Sequence, residues 1–317
     1  FWLASGWHII LLLISTTIDW TAGKKIQAND DASKRKRWLR LSLVTNLSLL
    51  AVFKYLDFLI ETWNLASLRI DGAPELETFG LLLPVGISFY TFQTMSYTID
   101  IYRKKHAPYE KFTDFACYAA FFPQLVAGPI VRAKDFLQQL STNNRQPIQI
   151  GRATKLILGG LFKKIVIADL LATEIVDGVF RNPAGSTGLE TLIGIYGYAL
   201  QIYGDFSGYS DIAIGIALLL GFQFSDNFNQ PYRALSLQDF WRRWHKSLGS
   251  WLRDYLYIPL GGNRGGGIGT YIATLVILIF LVFITQWYWL IFIYLGLMLL
   301  YIVFSLLFVN FKKYIHR

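Results

Sequence analysis

Apolar residues run through this 317-residue chain in blocks long enough to cross a lipid bilayer, with most polar positions between them. A hydrocarbon core about 30 Å thick needs roughly 20 helical residues. Runs of about that length occur at 40–60 (RLSLVTNLSLLAVFKYLDFLI), 79–101 (FGLLLPVGISFYTFQTMSYTIDI), 189–221 and 270–309, the last long enough for two passes. Residues 7–20 read as the end of another. The pattern predicts an all-α, polytopic helical membrane protein forming a single domain over 1–317, without repeats, low-complexity tracts or long linkers. Breaks between helices are expected at Pro84-Val-Gly86, Pro123, Gly128-Pro129, Asn182-Pro183-Ala-Gly185 and Pro259 ahead of Gly261-Gly262. Proline removes a backbone donor, and irregular backbone at membrane depth is tolerated only where protein or a water-filled cavity covers it. Several of these helices should therefore line a cavity. Segment 152–171 (RATKLILGGLFKKIVIADLL) carries Lys155, Lys163, Lys164 and Asp169 on an apolar background. It reads either as a helix at the interface or capping a bundle, or as a tilted span whose lysines snorkel.

Composition supports lipid as the solvent, since 54% of residues are hydrophobic and only 16% charged, outside the usual globular balance. The formal charge of +9 would fit a nucleic-acid binder, but its placement argues otherwise. Lys24, Lys25, Lys34, Arg35, Lys36, Arg37 and Arg40 share one short loop, and Arg103, Lys104 and Lys105 follow the next apolar run. Loop 61–78 holds Glu61, Asp71, Glu75 and Glu77 against Arg69 alone. The positive-inside bias puts loops 21–39 and 102–112 in the cytoplasm and 61–78 on the far side. The lone Cys117 excludes an intramolecular disulfide and is expected to be a small buried hydrophobe.

Polar groups then stand out where lipid should be. Within 189–221, Asp205 and Tyr209 are four apart, as are Ser207 and Asp211, so one helix side is expected to present carboxylates and hydroxyls. Such groups face a bundle interior or a polar pathway; a packing network and a hydrated interior both satisfy that rule. Further on, Asn227 and Asn229 precede Pro231 in a turn-rich passage, and a helix is expected to start at Ser236 or Asp239. If that helix is continuous, Trp241, Trp244, His245 and Leu248 share a face, while Arg242, Arg243 and Lys246 are left to pair with Asp239, lipid head groups or an anionic donor. Arg242, Arg243 and Arg253 are candidates for the phosphates of such a donor, because the guanidinium fork matches phosphate geometry. Imidazole is the usual base near neutral pH, and His245 is better placed than His8, His106 or His316. Four scattered histidines and one cysteine predict no metal centre. GGNRGGGIG lacks the Lys-Ser/Thr of a P-loop, and GYSDIAIG does not match a nucleophile elbow.

Four segments together carry a resemblance: LLLPVGISFYTFQTMSYTIDIYR (81–103), FFPQLVAGPI (121–130), YGDFSGYSDIAIGIALLLGF (203–222) and NFNQPYRALSLQDFWRRWHKSLGSWLRDYLYIPLGGNR (227–264). They are similar to the membrane-bound O-acyltransferases, in the bacterial branch that acetylates alginate, peptidoglycan and other polysaccharides. The resemblance covers about residues 1 to 272 in order. It implies a helical bundle around a funnel or tunnel, multi-pass in the bacterial inner membrane. The implied activity is passage of an acyl group, acetyl foremost, from a cytoplasmic thioester toward a hydroxyl of an extracytoplasmic polysaccharide. Acetyl-CoA or another acyl thioester is then a donor substrate, with no permanently bound cofactor, and the implied partners are membrane lipid and periplasmic or extracytoplasmic acetyl-relay proteins, not nucleic acid. His245 matches the histidine of the family's WRRWH motif, and Asp205, Ser207, Asp211, Asn227 and Asn229 match its polar cavity-lining motifs. With Tyr203, Trp241 and Trp244 these residues are expected to line the substrate path.

One departure bears on activity. The family's second histidine, in a Leu-Trp-His-Gly motif after GGNR, has no counterpart, since residues 246–315 contain no histidine and Thr285 or Gln286 stands near the expected place. Threonine offers no base near pH 7. The readings that follow are an incomplete chain, a divergent form, an enzyme in which His245 suffices, or a component that binds or moves an acyl donor without chemistry.

Overall fold

In this computed structural model the described residues are 6–68, 73–125, 128–141 and 148–262. All regular structure among them is helical, in agreement with the periodicity. The expected spans and turns at 263–317, including 270–309 and most of GGNRGGGIG, lie outside the described residues, as do Thr285, Gln286 and His316. The chain divides into two compact units, Phe1–Gly249 and Ser250–Arg317.

In the first unit, α1 (Ile9–Gln27), α2 (Ala32–Ser67) and α3 (Ile87–Tyr102) pack on one another. Asp31 caps α2, accepting from the Ser33 N–H at 2.8 Å. Helix α2 is 36 residues long, about 54 Å at 1.5 Å per residue, and its outer stripe exposes Leu41, Val44, Leu47, Val52 and Leu59. Among the described residues it alone is long and apolar enough to cross a membrane by length and composition. The expectation at 79–101 needs correcting: the helix starts only at Ile87. Before it, the Phe79 and Leu81 N–H groups donate to the Asp57 carboxylate at 2.8 and 2.9 Å, and Asn64 pairs with both polar groups of Leu76 at 2.8 and 3.0 Å. These backbone donors and acceptors find partners on α2, so residues 76–81 need not be helical. Gly86 then turns into α3 with φ 72°, and a side chain there would collide with the Leu125 carbonyl.

Short helices α4 (Phe112–Ala119), α5 (Phe122–Leu125) and α6 (Ala133–Ser141) fold around an aromatic core. Tyr97 stacks on Phe115 at 4.3 Å and Phe136 on Phe222 at 4.7 Å, with Phe121 edge-on to Phe222 at 4.8 Å. The buried hydroxyls of Tyr109 and Tyr118 donate to the carbonyls of Ala133 and Val131 at 2.9 and 3.0 Å, so the rings bury apolar area without stranding a polar atom. Cys117 faces outward, contrary to expectation, because neighbouring Phe115 and Tyr118 take the inward positions of α4.

Residues 150–181 form a helical rod: α7 (Ile150–Leu161), wide turns at Phe162–Asp169 and Ala172–Val176, then α8 (Asp177–Arg181). A turn in which Asn182 accepts from the Gly185 N–H leads to α9 (Gly188–Leu219), opened by a Thr187–Glu190 capping box. Rod and α9 lie antiparallel, as shown by contact of Gly215 with Ile157, Gly208 with Gly160 and Gly194 with Val179. At the Gly160–Gly208 crossing a Cβ on Gly208 would sit 2.7 Å from the Gly160 carbonyl oxygen, so small residues set the approach distance, as in membrane helix pairs. Leu158, Phe162, Ile165, Val166 and Leu170 point outward. That continuous pairing is compatible with both readings of 152–171.

After α9 come α10 (Leu237–Arg243) and α11 (Lys246–Leu252), the latter crossing into the second unit, where a wide turn at Arg253–Tyr257 follows and the Trp251 and Tyr255 rings lie 5.2 Å apart.

Candidate functional site

Ser236 opens α10 as expected, its hydroxyl accepting from the Asp239 N–H at 3.1 Å. The expected continuous helix through Trp241–Leu248 does not form. Trp244 is extended and His245 is left-handed, φ 40°, a conformation rare outside glycine, asparagine and aspartate. The break has a structural cause: Asn227, buried at 1% exposure, meets the start of α11. Its backbone carbonyl accepts from the Lys246 N–H at 2.8 Å, and its side-chain Oδ1 accepts from the Ser247 N–H at 3.2 Å and the Ser247 hydroxyl at 2.9 Å. Those donors would otherwise be orphans of a helix start.

The same Oδ1 lies 3.0 Å from His245 Nδ1. Because the Ser247 N–H can only donate, Oδ1 is an acceptor, and the Asn227 amide is held that way round by Nδ2 donating to Ser210 Oγ at 3.2 Å. The imidazole therefore carries its proton on Nδ1, which leaves Nε2 with a lone pair and no hydrogen bond to a described residue. Phe206 stands edge-on to the ring at 4.7 Å and Phe228 lies parallel at 6.4 Å. Trp244, Tyr203 and Tyr232 extend this cluster, with Trp244 5.1 Å from Phe228 and Tyr203 5.4 Å from Tyr232. Although the ring is only half-buried by area, this packing desolvates it and pushes its pKa down to about 3. The orienting group is a neutral amide, so nothing in the contact favours an imidazolium. Helices α10 and α11, seven residues each, are too short to span, and the histidine sits in the break between them.

The structure thus brings Tyr203, Asn227, Trp244 and His245 together, and the other candidates of the first unit take different partners or positions. Asp211 accepts from Lys163 at 2.5 Å, and Asp205 from Lys164 at 2.7 Å, so both carboxylates tie α9 to the 150–181 rod. Lys163 Nζ also lies 6.0 Å from the Tyr203 ring centre. The expectation of one polar side on α9 is corrected: Asp205 is exposed whereas Ser207 is fully buried, since residues two apart on a helix point nearly opposite ways. Asn229 meets Arg243 through its backbone, accepting that residue's Nη1 at 3.5 Å and donating to its carbonyl at 2.9 Å. Arg243 is committed to Asp239 at 2.9 Å, Arg242 is exposed, and Arg253 in the second unit pairs with Asp254 at 2.9 Å. Trp241 points outward and does not share a face with His245. Sequence reasoning missed Phe206, Phe228 and Ser247; the spacing of Tyr203 and Phe206, three apart on α9, was the available signal for the first. No metal-binding cluster of His, Cys, Asp or Glu occurs among the described residues.

Residues 108–315 match the membrane-bound O-acyltransferase family. Probable alginate O-acetylases of Pseudomonas syringae pv. tomato and Pseudomonas aeruginosa are 41% and 42% identical over 269 residues, 84% of this chain and 51% of each relative. A peptidoglycan O-acetyltransferase of Helicobacter pylori is 37% identical over 284 residues, 81% of this chain and 53% of the relative. The chain spans about half the length of these curated relatives.

Proposed function

This chain belongs to the membrane-bound O-acyltransferase family, and from that premise we propose that it carries the base of an O-acyl transfer. The single supporting observation is the Asn227–His245 contact, which presents a neutral imidazole with its Nε2 lone pair uncommitted. In the reaction, Nε2 takes the proton of an acceptor hydroxyl as that oxygen attacks the carbonyl carbon of an acyl thioester. The carbon–sulfur bond then breaks, and the departing sulfur takes the proton from the imidazolium. Burial lowers the basicity of Nε2, so it acts on a proton already leaving in the transition state and does not hold a charged imidazolium at rest. Asn227 is a positioning residue that selects the tautomer, and the rings of Tyr203, Phe206, Phe228 and Trp244 keep the site dry.

The donor in this proposal is acetyl-CoA or another cytoplasmic acyl thioester, the acceptor an extracytoplasmic polysaccharide hydroxyl, and the setting the inner membrane with several passes around a funnel. Extracytoplasmic relay proteins complete the route. The likeness to an alginate and a peptidoglycan acetylating protein supports the acetyl group and the polysaccharide class. Membranes containing the full chain, supplied with labelled acetyl-CoA and polysaccharide, are expected to transfer acetyl, and His245→Ala to lower that rate by about 100-fold or more. Unchanged transfer in the variant removes the histidine from the chemistry. Saturable donor binding with no transfer or hydrolysis by the native chain would replace this proposal with donor binding alone.

A further inference from the structure

Away from His245, the ends of α1, α2 and α3 enclose a cavity of about 330 Å³ lined by Asn29, Asp30, Arg35, Lys104 and His106 among others. That volume lies at the lower limit of small-ligand sites. Three features point to an anion.

The first is the start of α2. Behind its Asp31 cap the opening turns carry Lys34, Arg35, Lys36 and Arg37. The macrodipole is positive there, so cations are at the disfavoured end and an anion is favoured. The second is Arg35. Its Nη2 donates to the Tyr102 carbonyl at 2.7 Å and its guanidinium lies 5.3 Å from the Tyr102 ring centre, which pins the group at the cavity wall. Its buried Nε has no hydrogen-bond partner, and neither does the buried His106 Nε2, whose ring meets the Ala107 carbonyl through Nδ1 at 2.8 Å. The third is Lys104. It closes α3 in the left-handed region, φ 59°, with its N–H donating to the Ile101 carbonyl at 2.9 Å. Glycine is the usual residue at that position, yet here it carries a cation that lines the cavity. Asp30 is the carboxylate that opposes these groups.

We propose that the cavity at the N-terminus of α2 binds a phosphate group through Arg35 and Lys104. Two sources share that chemistry: a phosphorylated soluble metabolite and an anionic phospholipid head group. The inference stands apart from acyl transfer, because it is read as binding and not as turnover. The intact chain in phosphatidylcholine nanodiscs would be titrated calorimetrically with inorganic phosphate and with coenzyme A. Retention of phosphatidylglycerol from mixed nanodiscs would be measured by native mass spectrometry. Lys104→Gly is the informative variant, since it removes the cation while relieving the left-handed backbone, so its thermal midpoint should not fall. It is expected to weaken the bound probe about tenfold or more, with Arg35→Gln doing the same. Loss confined to phosphate or coenzyme A assigns the soluble source, and loss confined to phosphatidylglycerol assigns the lipid. Absence of saturable binding to any probe, or equal binding by Lys104→Gly and the native chain, overturns the proposal.

Discussion

Two asparagines each hold a titratable group in this protein, and they do so to opposite ends. In the packing of α1, α2 and α3, Asn46 Nδ2 lies 2.9 Å from both oxygens of Asp19, Ser42 donates to the same carboxylate at 2.6 Å, and Ser15 donates to Asn46 Oδ1 at 2.7 Å. All four residues are fully buried. Thr98 lies 3.0 Å from Ser42, which brings α3 into the network. Every oxygen of the Asp19–Asn46 pair is met, so the network can fix three helices and offers nothing to a substrate. At Asn227 the arrangement is reversed. The asparagine is saturated by Ser210, Ser247 and His245, while the group it orients keeps one nitrogen uncommitted. Closure on all sides makes a strut, and an edge left open is what the proposed base requires.

The largest effect expected from disturbing this contrast is on the closed side. Asn46→Ala strips Asp19 of its amide donor and leaves a buried carboxylate held by a serine, at a cost of roughly 3 kcal/mol or more. Unfolding of the purified protein in detergent would measure it, and a loss below about 1 kcal/mol would mean that water enters the network.

On the open side, Asn227→Ala should leave α1–α3 intact while lowering acetyl transfer by about 10- to 100-fold, as expected for loss of an orienting partner. Asn227→Asp sharpens the test. A carboxylate facing Nδ1 favours the imidazolium, so the pKa of His245 should rise from its depressed value and the acid limb of the rate profile should move to higher pH. Unmoved pH profiles in Asn227→Asp would show that the histidine is not oriented through Nδ1.

A smaller effect concerns stability. Because the folded pKa of His245 lies below its unfolded value of 6.5, the unfolded chain binds more protons between the two. Stability is therefore full above about pH 6.5 and falls on acidification, by at most about 1.4 kcal/mol per pH unit for one group. The thermal midpoint should drop from pH 7 to pH 5, and drop less in His245→Gln; equal drops would place the acid sensitivity elsewhere.

The helical class, the break at Pro84–Gly86, the Asn182–Gly185 turn and the Ser236 cap were legible in the sequence, because glycine, proline and capping residues act on their own few neighbours. His245 was legible as a candidate by elimination among four histidines. Its surroundings were not. A continuous periodic pattern across Trp241–Leu248 concealed the break at Trp244–His245, which arises from a residue 18 positions upstream. Asp205 and Asp211 stood out as polar groups in an apolar run, but their lysines come from the 150–181 rod, and nothing in the spacing along α9 announces that partnership.

By itself the sequence determined what local chemistry can determine: the helical class, the turns and caps set by proline, glycine and serine, the family, and one histidine as the candidate base. Tertiary structure alone decided which buried polar groups were closed off and which were left open. The reason is physical. A hydrogen bond is satisfied by whichever donor or acceptor arrives in space, and the partners here come from segments distant in the chain, brought to about 3 Å only when the helices pack.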